Sequence, residues 1–84
     1  MNQHKEIPIA VQRDFADALS SKCRNGLIIH FNNWEIIYQP ELIAWTGCSS
    51  LKGASHLSRD ALEEIAEVLH EFGFIECPYE WLRS

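Results

Sequence analysis

Four side chains in this sequence are chemically able to bind a metal ion. The candidate ligands for Zn²⁺ are Cys48, His56, His70 and Cys77. Structural zinc sites take pairs of ligands that lie only a few residues apart, but here seven residues separate the first cysteine and histidine and six separate the second pair. This spacing is typical of ordinary thiols and imidazoles, so we expect no metal and no other cofactor.

Nucleophilic catalysis is the second chemistry that a cysteine offers, provided that a base lies nearby and the thiol pKa is lowered. Lys22 and Arg24 flank Cys23, but consecutive residues of a helix point in different directions. Cys77 lies among acidic residues, which disfavour a thiolate. The sequence also contains no glycine-rich phosphate loop and no nucleophile elbow. We therefore expect a protein that is not an enzyme.

Acidic residues give the most informative pattern. Seven of them lie between positions 60 and 80, and this segment contains no lysine or arginine. Residues 1–59 contain six basic and five acidic side chains, whereas residues 60–84 contain seven acids and only Arg83 as a base. The net charge of −5 therefore belongs to the C-terminal third of the chain. A segment of this charge repels nucleic acid and attracts basic protein surfaces.

Three of these acids follow one another at i, i+4 spacing, where like charges cost about 0.2–0.5 kcal/mol per pair in a helix. A solvated helix face is one interpretation, and a docking face for a basic partner is the other. Aromatic residues follow the acids, and an aromatic anchor beside steering charges is typical of protein interfaces. On the docking interpretation the partner-binding residues are Glu63, Glu67, Glu71, Glu76, Tyr79, Glu80 and Trp81.

The elements that would position these residues begin with a helix. We expect residues 1–7 to be frayed and Pro8 to open a helix over about 9–23, which Asn25-Gly26 would end. Residues 27–31 and 34–38 are rich in β-branched and aromatic side chains, with two asparagines between them. That pattern predicts a β-hairpin, which Pro40 would end.

The second half of the chain contains the best helical pattern. Residues 41–47 fit a short helix closed by Gly47 or a strand, and residues 48–57 are typical of a loop. Ser58 or Asp60 would cap a long amphipathic helix ending at Gly73, with Phe74 packing back on its last turn. Residues 74–77 fit a short third strand.

These elements predict a small single domain of the α+β class over residues 1–84: an N-terminal helix, a β-hairpin, a long acidic helix and a short third strand. Both helices would pack on one face of the sheet. The expected core residues are Val11, Phe15, Leu19, Ile29, Phe31, Ile36, Leu62, Ile65, Leu69 and Phe72.

Residues 41–77 also resemble the end of a winged helix-turn-helix domain. The matching parts are a short helix ending in Gly47, a turn, the acidic helix in the place of the recognition helix, and Gly73-Phe74-Ile75 entering the wing. The resemblance covers less than half of the chain and implies a DNA-binding transcriptional regulator. Two features depart from the family: the loop 48–57 is longer than the usual turn, and the helix carries five acids against Arg59. DNA affinity comes largely from lysine and arginine on phosphates.

We therefore expect a non-enzymatic, acidic protein-binding module, an inhibitor or regulator that docks on the basic, nucleic-acid-binding surface of a larger protein. Phage-encoded anti-defence proteins and immunity-type inhibitors share this size and charge. The winged-helix regulator is the alternative. No run approaches the about 20 apolar residues of a membrane helix, and an odd number of cysteines suits a reducing compartment, so we expect a cytoplasmic location. The uneven charge also allows self-association.

Overall fold

The computed structural model describes residues 7–84, and over that range the chain folds into helices without any β-strand. The elements, in chain order, are α1 (Ile9–Ala18), α2 (Ser21–Phe31), a 3₁₀ helix (Trp34–Tyr38), α3 (Pro40–Thr46), a 3₁₀ turn (Cys48–Ser50), α4 (Arg59–Glu71) and α5 (Pro78–Arg83). The predicted α+β class is therefore wrong, because the described chain is an all-helical domain. The expected fraying of residues 1–7 lies, except for Ile7, outside the described residues.

The N-terminal helix is divided in two. The predicted helix 9–23 breaks at Leu19, whose backbone is extended (ψ 142°), and the chain restarts as α2 after Ser20. The Ser20 hydroxyl accepts a hydrogen bond from the backbone N–H of Cys23 at 3.3 Å. This is a standard N-cap, since a serine oxygen satisfies one of the free N–H groups of the first turn.

The predicted β-hairpin is also wrong, because residues 27–31 continue α2. Cys23, Leu27 and Phe31 follow one another at i, i+4 spacing, and the first two are fully buried while the third packs against the core. Helical spacing therefore prevails over the β-branched composition of this segment. The helix ends at Asn32, which adopts a left-handed backbone (φ 52°), so the asparagine pair caps a helix rather than turning a hairpin.

Gly26, predicted to help end the first helix, instead lies inside α2 and is buried. A Cβ atom at this position would lie 2.5 Å from the carbonyl oxygen of His56 and 2.6 Å from Cδ2 of Leu57. The loop before α4 therefore approaches α2 so closely that only glycine fits. Gly26 therefore allows α2 and this loop to pack closely, and it does not reverse the chain.

The segment predicted as the second hairpin strand forms the 3₁₀ helix Trp34–Tyr38. The side chain of Asn33 accepts a 3.0 Å hydrogen bond from the backbone N–H of Glu35, which starts the turn. Ile36 and Ile37 are consecutive and both buried, an arrangement that a half-exposed strand would not give. This segment packs against α1, α2 and α3.

The second half of the chain follows the sequence-based expectation more closely. A helix and a strand were both compatible with this segment, and residues 40–46 form the helix. The helix ends at Gly47, which has φ 84°. Ser58 caps α4 through a 3.3 Å hydrogen bond to the N–H of Ala61. At the other end Gly73 has φ 83°, and the N–H of Phe74 donates to the carbonyl of Leu69 at 2.9 Å, as in a Schellman motif. The third strand predicted for residues 74–77 is wrong, because the segment is a bend.

One hydrophobic core holds these helices together, and α1, α2, α4 and α5 all contribute to it. Among the predicted core residues, those of α4 are all buried, as are Phe15, Leu19 and Ile36. Phe31 and Phe72 are partly buried and pack against the core. Ile29 was wrongly predicted, because 53% of its side chain surface is exposed on the outer face of α2.

Candidate functional site

The acidic residues of α4 divide between two faces. Glu63, Glu67 and Glu71, which we call the acidic face, are exposed, while Leu62 and Ile65 of the same helix are buried. Over residues 7–84 the acidic face has a single ion pair, between Nε of Arg59 and Oε2 of Glu63 at 3.3 Å. Exposed pairs of this kind are worth little, so the face keeps most of its negative charge.

Helix α5 packs against α4 and adds an aromatic side chain to the acidic face. Glu63 and Glu67 line a groove of about 230 Å³ together with Pro78, Tyr79 and Leu82. The ring of Tyr79 is 72% exposed. The structure thus brings two of the predicted carboxylates and one predicted aromatic together across two helices.

The other predicted partner-binding residues have different environments. Glu71, Glu76 and Glu80 are exposed but do not line this groove. Trp81 is 5% exposed, and its indole N–H donates a 3.1 Å hydrogen bond to the carbonyl oxygen of Ala44 on α3. Trp81 therefore attaches α5 to the core, and in this fold it offers no surface to a partner.

Glu64 belongs to the acidic run of the sequence but not to the acidic face. Its carboxylate accepts a 2.7 Å hydrogen bond from the backbone N–H of Ser20, at the start of α2. That bond lowers the pKa of Glu64 by stabilising the charged form. Sequence reasoning missed this contact because 44 residues separate the two partners.

Arg24, one of the two basic residues beside Cys23, has a structural role. The guanidinium of Arg24 donates hydrogen bonds to the carbonyl oxygens of Ala16 and Leu19, at 2.9 and 2.6 Å. It adds a donor to carbonyl groups at the C-terminus of α1, where a cation is favoured. Burial raises the pKa of the Cys23 thiol, which is the opposite of what a nucleophile needs.

The candidate metal ligands of the sequence are not brought together. Within residues 7–84 no group of three or more histidine, cysteine, aspartate or glutamate side chains has the geometry to hold a metal ion. Burial raises the pKa of Cys48, while His56 and His70 are exposed. All three cysteines are free thiols.

An exposed apolar surface was missed by sequence reasoning. Trp45 is 86% exposed and Leu42 is 44% exposed, on the outer side of α3. Trp34 is 64% exposed and packs edge to face against Tyr38, with ring centroids 6.3 Å apart. The i, i+3 spacing of Leu42 and Trp45, with buried Ile43 between them, is the sequence signal that indicates an outward apolar pair.

Comparison with known proteins adds no relative: no protein-family model matches the chain, and no curated protein or solved structure shows significant similarity to it. Among the described helices, none combines the length and the apolar character needed to cross a membrane.

Proposed function

We propose that this chain is a non-enzymatic binding module that inhibits or regulates a larger protein by covering that protein's basic, nucleic-acid-binding surface. The observation that carries the proposal is the groove in which Glu63 and Glu67 lie beside the exposed ring of Tyr79. Carboxylates at successive turns of a helix can occupy positions that phosphates take on such a surface, and the tyrosine supplies an apolar anchor.

The uncompensated charge supports this proposal. No lysine lies on α4, and Arg59 forms the single ion pair of the acidic face within the described chain. Charge that is left unpaired on a rigid helix speeds encounter with a surface of opposite sign. We place the complex in the cytoplasm, where three unpaired thiols stay reduced.

Charge reversal on the acidic face tests the proposal. The partner would be captured from host lysate with the wild-type chain, purified, and titrated with the triple variant Glu63→Lys, Glu67→Lys, Glu71→Lys. We expect the variant to fold and to lose binding by more than about tenfold, since each reversed contact acts on desolvated charge. Capture of DNA alone, with affinity that falls steeply as salt rises, would instead support the winged-helix prediction.

A matched control keeps the total charge change the same. Asp14, Asp17 and Glu41 are exposed and lie outside α4 and α5. Their triple replacement by lysine should leave affinity close to that of the wild type. If both triple variants weaken binding equally, only net charge matters and a specific acidic face is excluded. In the same titration, the wild-type chain should displace nucleic acid from its partner.

A further inference from the structure

A second, larger cavity adjoins the groove beside the acidic face and shares Glu63, Tyr79 and Leu82 with it. It encloses about 520 Å³ between the 48–53 turn, the start of α4 and α5. Leu57 and Leu62 form part of its wall and are almost fully buried, and Leu82 is partly buried beside them. This volume lies in the range of small-molecule sites, which are mostly apolar with a few polar groups placed to orient the ligand.

The charge of this cavity is opposite to that of the protein. Lys52, Arg59 and Arg83 all line it, and they are half of the basic residues within 7–84, although the chain carries −5 overall. Glu63 is the single acid of its lining and pairs with Arg59. Lys52 and Arg83 have no carboxylate within ion-pair distance in the described part of the chain.

Two further features give the cavity a positive potential. The charge of Lys52, which lines the cavity, also opposes the rise in the pKa of the Cys48 thiol that burial causes. The cavity also lies at the start of α4, a helix of 13 residues whose N-terminus carries the positive end of the helix dipole. Cationic groups and apolar wall thus lie within one concave site.

We propose that this cavity binds a small amphipathic anion, with an apolar chain or ring against Leu57, Leu62 and Leu82 and a carboxylate or phosphate group between Lys52 and Arg83. The apolar walls exclude water from the chain of the ligand, and the two unpaired cations select its charge. This inference does not depend on the docking role of the acidic face.

A matched pair of ligands tests the proposal on the wild-type chain. Decanoate and decanol have the same number of carbon atoms, with apolar chains that differ by one CH₂ group, and they differ in the charge of the head group. In an amide NMR titration, decanoate should shift the signals of Gly53, Leu57 and Leu82 and bind about tenfold more tightly than decanol, as expected for hydrogen bonds to a charged group. No shifts at these amides, or equal affinities for the two ligands, would overturn the proposal.

A pair of double variants then tests the cations. Lys52→Gln with Arg83→Gln should abolish the preference for decanoate but keep the weak binding of decanol. Arg13→Gln with Lys22→Gln removes the same charge from exposed positions outside the cavity and should keep the preference. If the first double variant still prefers decanoate, the cations do not select the ligand and the proposal fails. The amide spectrum of each variant reports whether it is folded.

Discussion

The carboxylate of Glu64 on α4 accepts a 2.7 Å hydrogen bond from the backbone N–H of Ser20, the N-cap residue of α2. In a capping box, a glutamate of the same helix satisfies this N–H group. Here the glutamate comes from a different helix, so one hydrogen bond both completes the start of α2 and connects it to α4. The positive end of the α2 dipole also favours the charge of Glu64.

Removal of this carboxylate should destabilise the fold. We expect Glu64→Ala to lower the free energy of unfolding by about 1 kcal/mol, because a charged hydrogen bond is lost at a partly exposed site and the N–H of Ser20 is left to water. Urea denaturation measures the change. Glu67→Ala is the control: it removes an exposed carboxylate from the same helix and should not destabilise the fold, because it relieves two repulsive pairs. Equal effects would show that the contact with Ser20 contributes nothing.

The same contact predicts a pH dependence. The pKa of Glu64 is lowered from its ordinary value of 4.5, so the folded state binds this proton less readily than the unfolded state does. Its stabilisation is therefore fully present above about pH 4.5 and is lost as the pH falls through the lower, folded-state pKa. We expect the stability difference between wild type and Glu64→Gln to shrink between about pH 5 and pH 3. A difference that stays constant over this range would contradict the assignment.

Gly26 should resist replacement although it lies inside a helix. Alanine is the better helix former by about 1 kcal/mol, yet a Cβ atom would lie 2.5 Å from the carbonyl oxygen of His56 and force the loop away from α2. We expect Gly26→Ala to destabilise the protein by about 1–3 kcal/mol in thermal or urea unfolding. Asn25→Ala, at the exposed neighbouring position, should be neutral or stabilising. A stabilised Gly26→Ala variant would mean that the loop moves freely.

Reversal of the central charge of the acidic face should stabilise α4. Glu67 lies one turn from Glu63 and one turn from Glu71, so Glu67→Lys replaces two repulsive pairs by two attractive ones, a gain of about 0.8–2 kcal/mol in unfolding free energy at low salt. The gain should fade in high salt, because the Debye length falls to about 3 Å at 1 M. Glu76→Lys makes the same charge change outside the helix and should not reproduce it. A gain that persists in high salt would point to a cause other than charge.

Thiol reactivity should distinguish the cysteines. Burial raises the pKa of Cys23 and Cys48, and both are inaccessible, whereas Cys77 is partly exposed. We expect DTNB to modify one thiol quickly in the native protein and all three in urea. Cys77→Ser should remove the fast reaction. Fast modification of that variant would show that the core opens at Cys23 or Cys48.

Local patterns in the sequence were enough to predict α4. The pattern of α4 consists of an apolar stripe, the N-cap Ser58 and the terminating Gly73. Each of these features depends only on residues within the helix or one turn beyond it, and the structure confirms all three. The exposure of Glu63, Glu67 and Glu71 follows from the same periodicity, because residues one turn apart share a face. What the acidic face binds remains a prediction, because a helix pattern carries no information about a partner.

Segment 27–38 shows why the rest required the tertiary structure. Its β-branched residues favour strands, yet such a preference is worth less than burying Leu27 and Ile36 and packing Phe31 against a helical core. The inward position of Trp81 was likewise undetermined by its neighbours, since a six-residue helix can turn either face to the core. Its hydrogen bond to Ala44 spans 37 residues of sequence. The position of the charge and the two ends of α4 can be predicted from the amino-acid sequence, because those properties are local. The contacts between side chains of different helices emerge only in the folded structure, because they depend on how all the elements pack together.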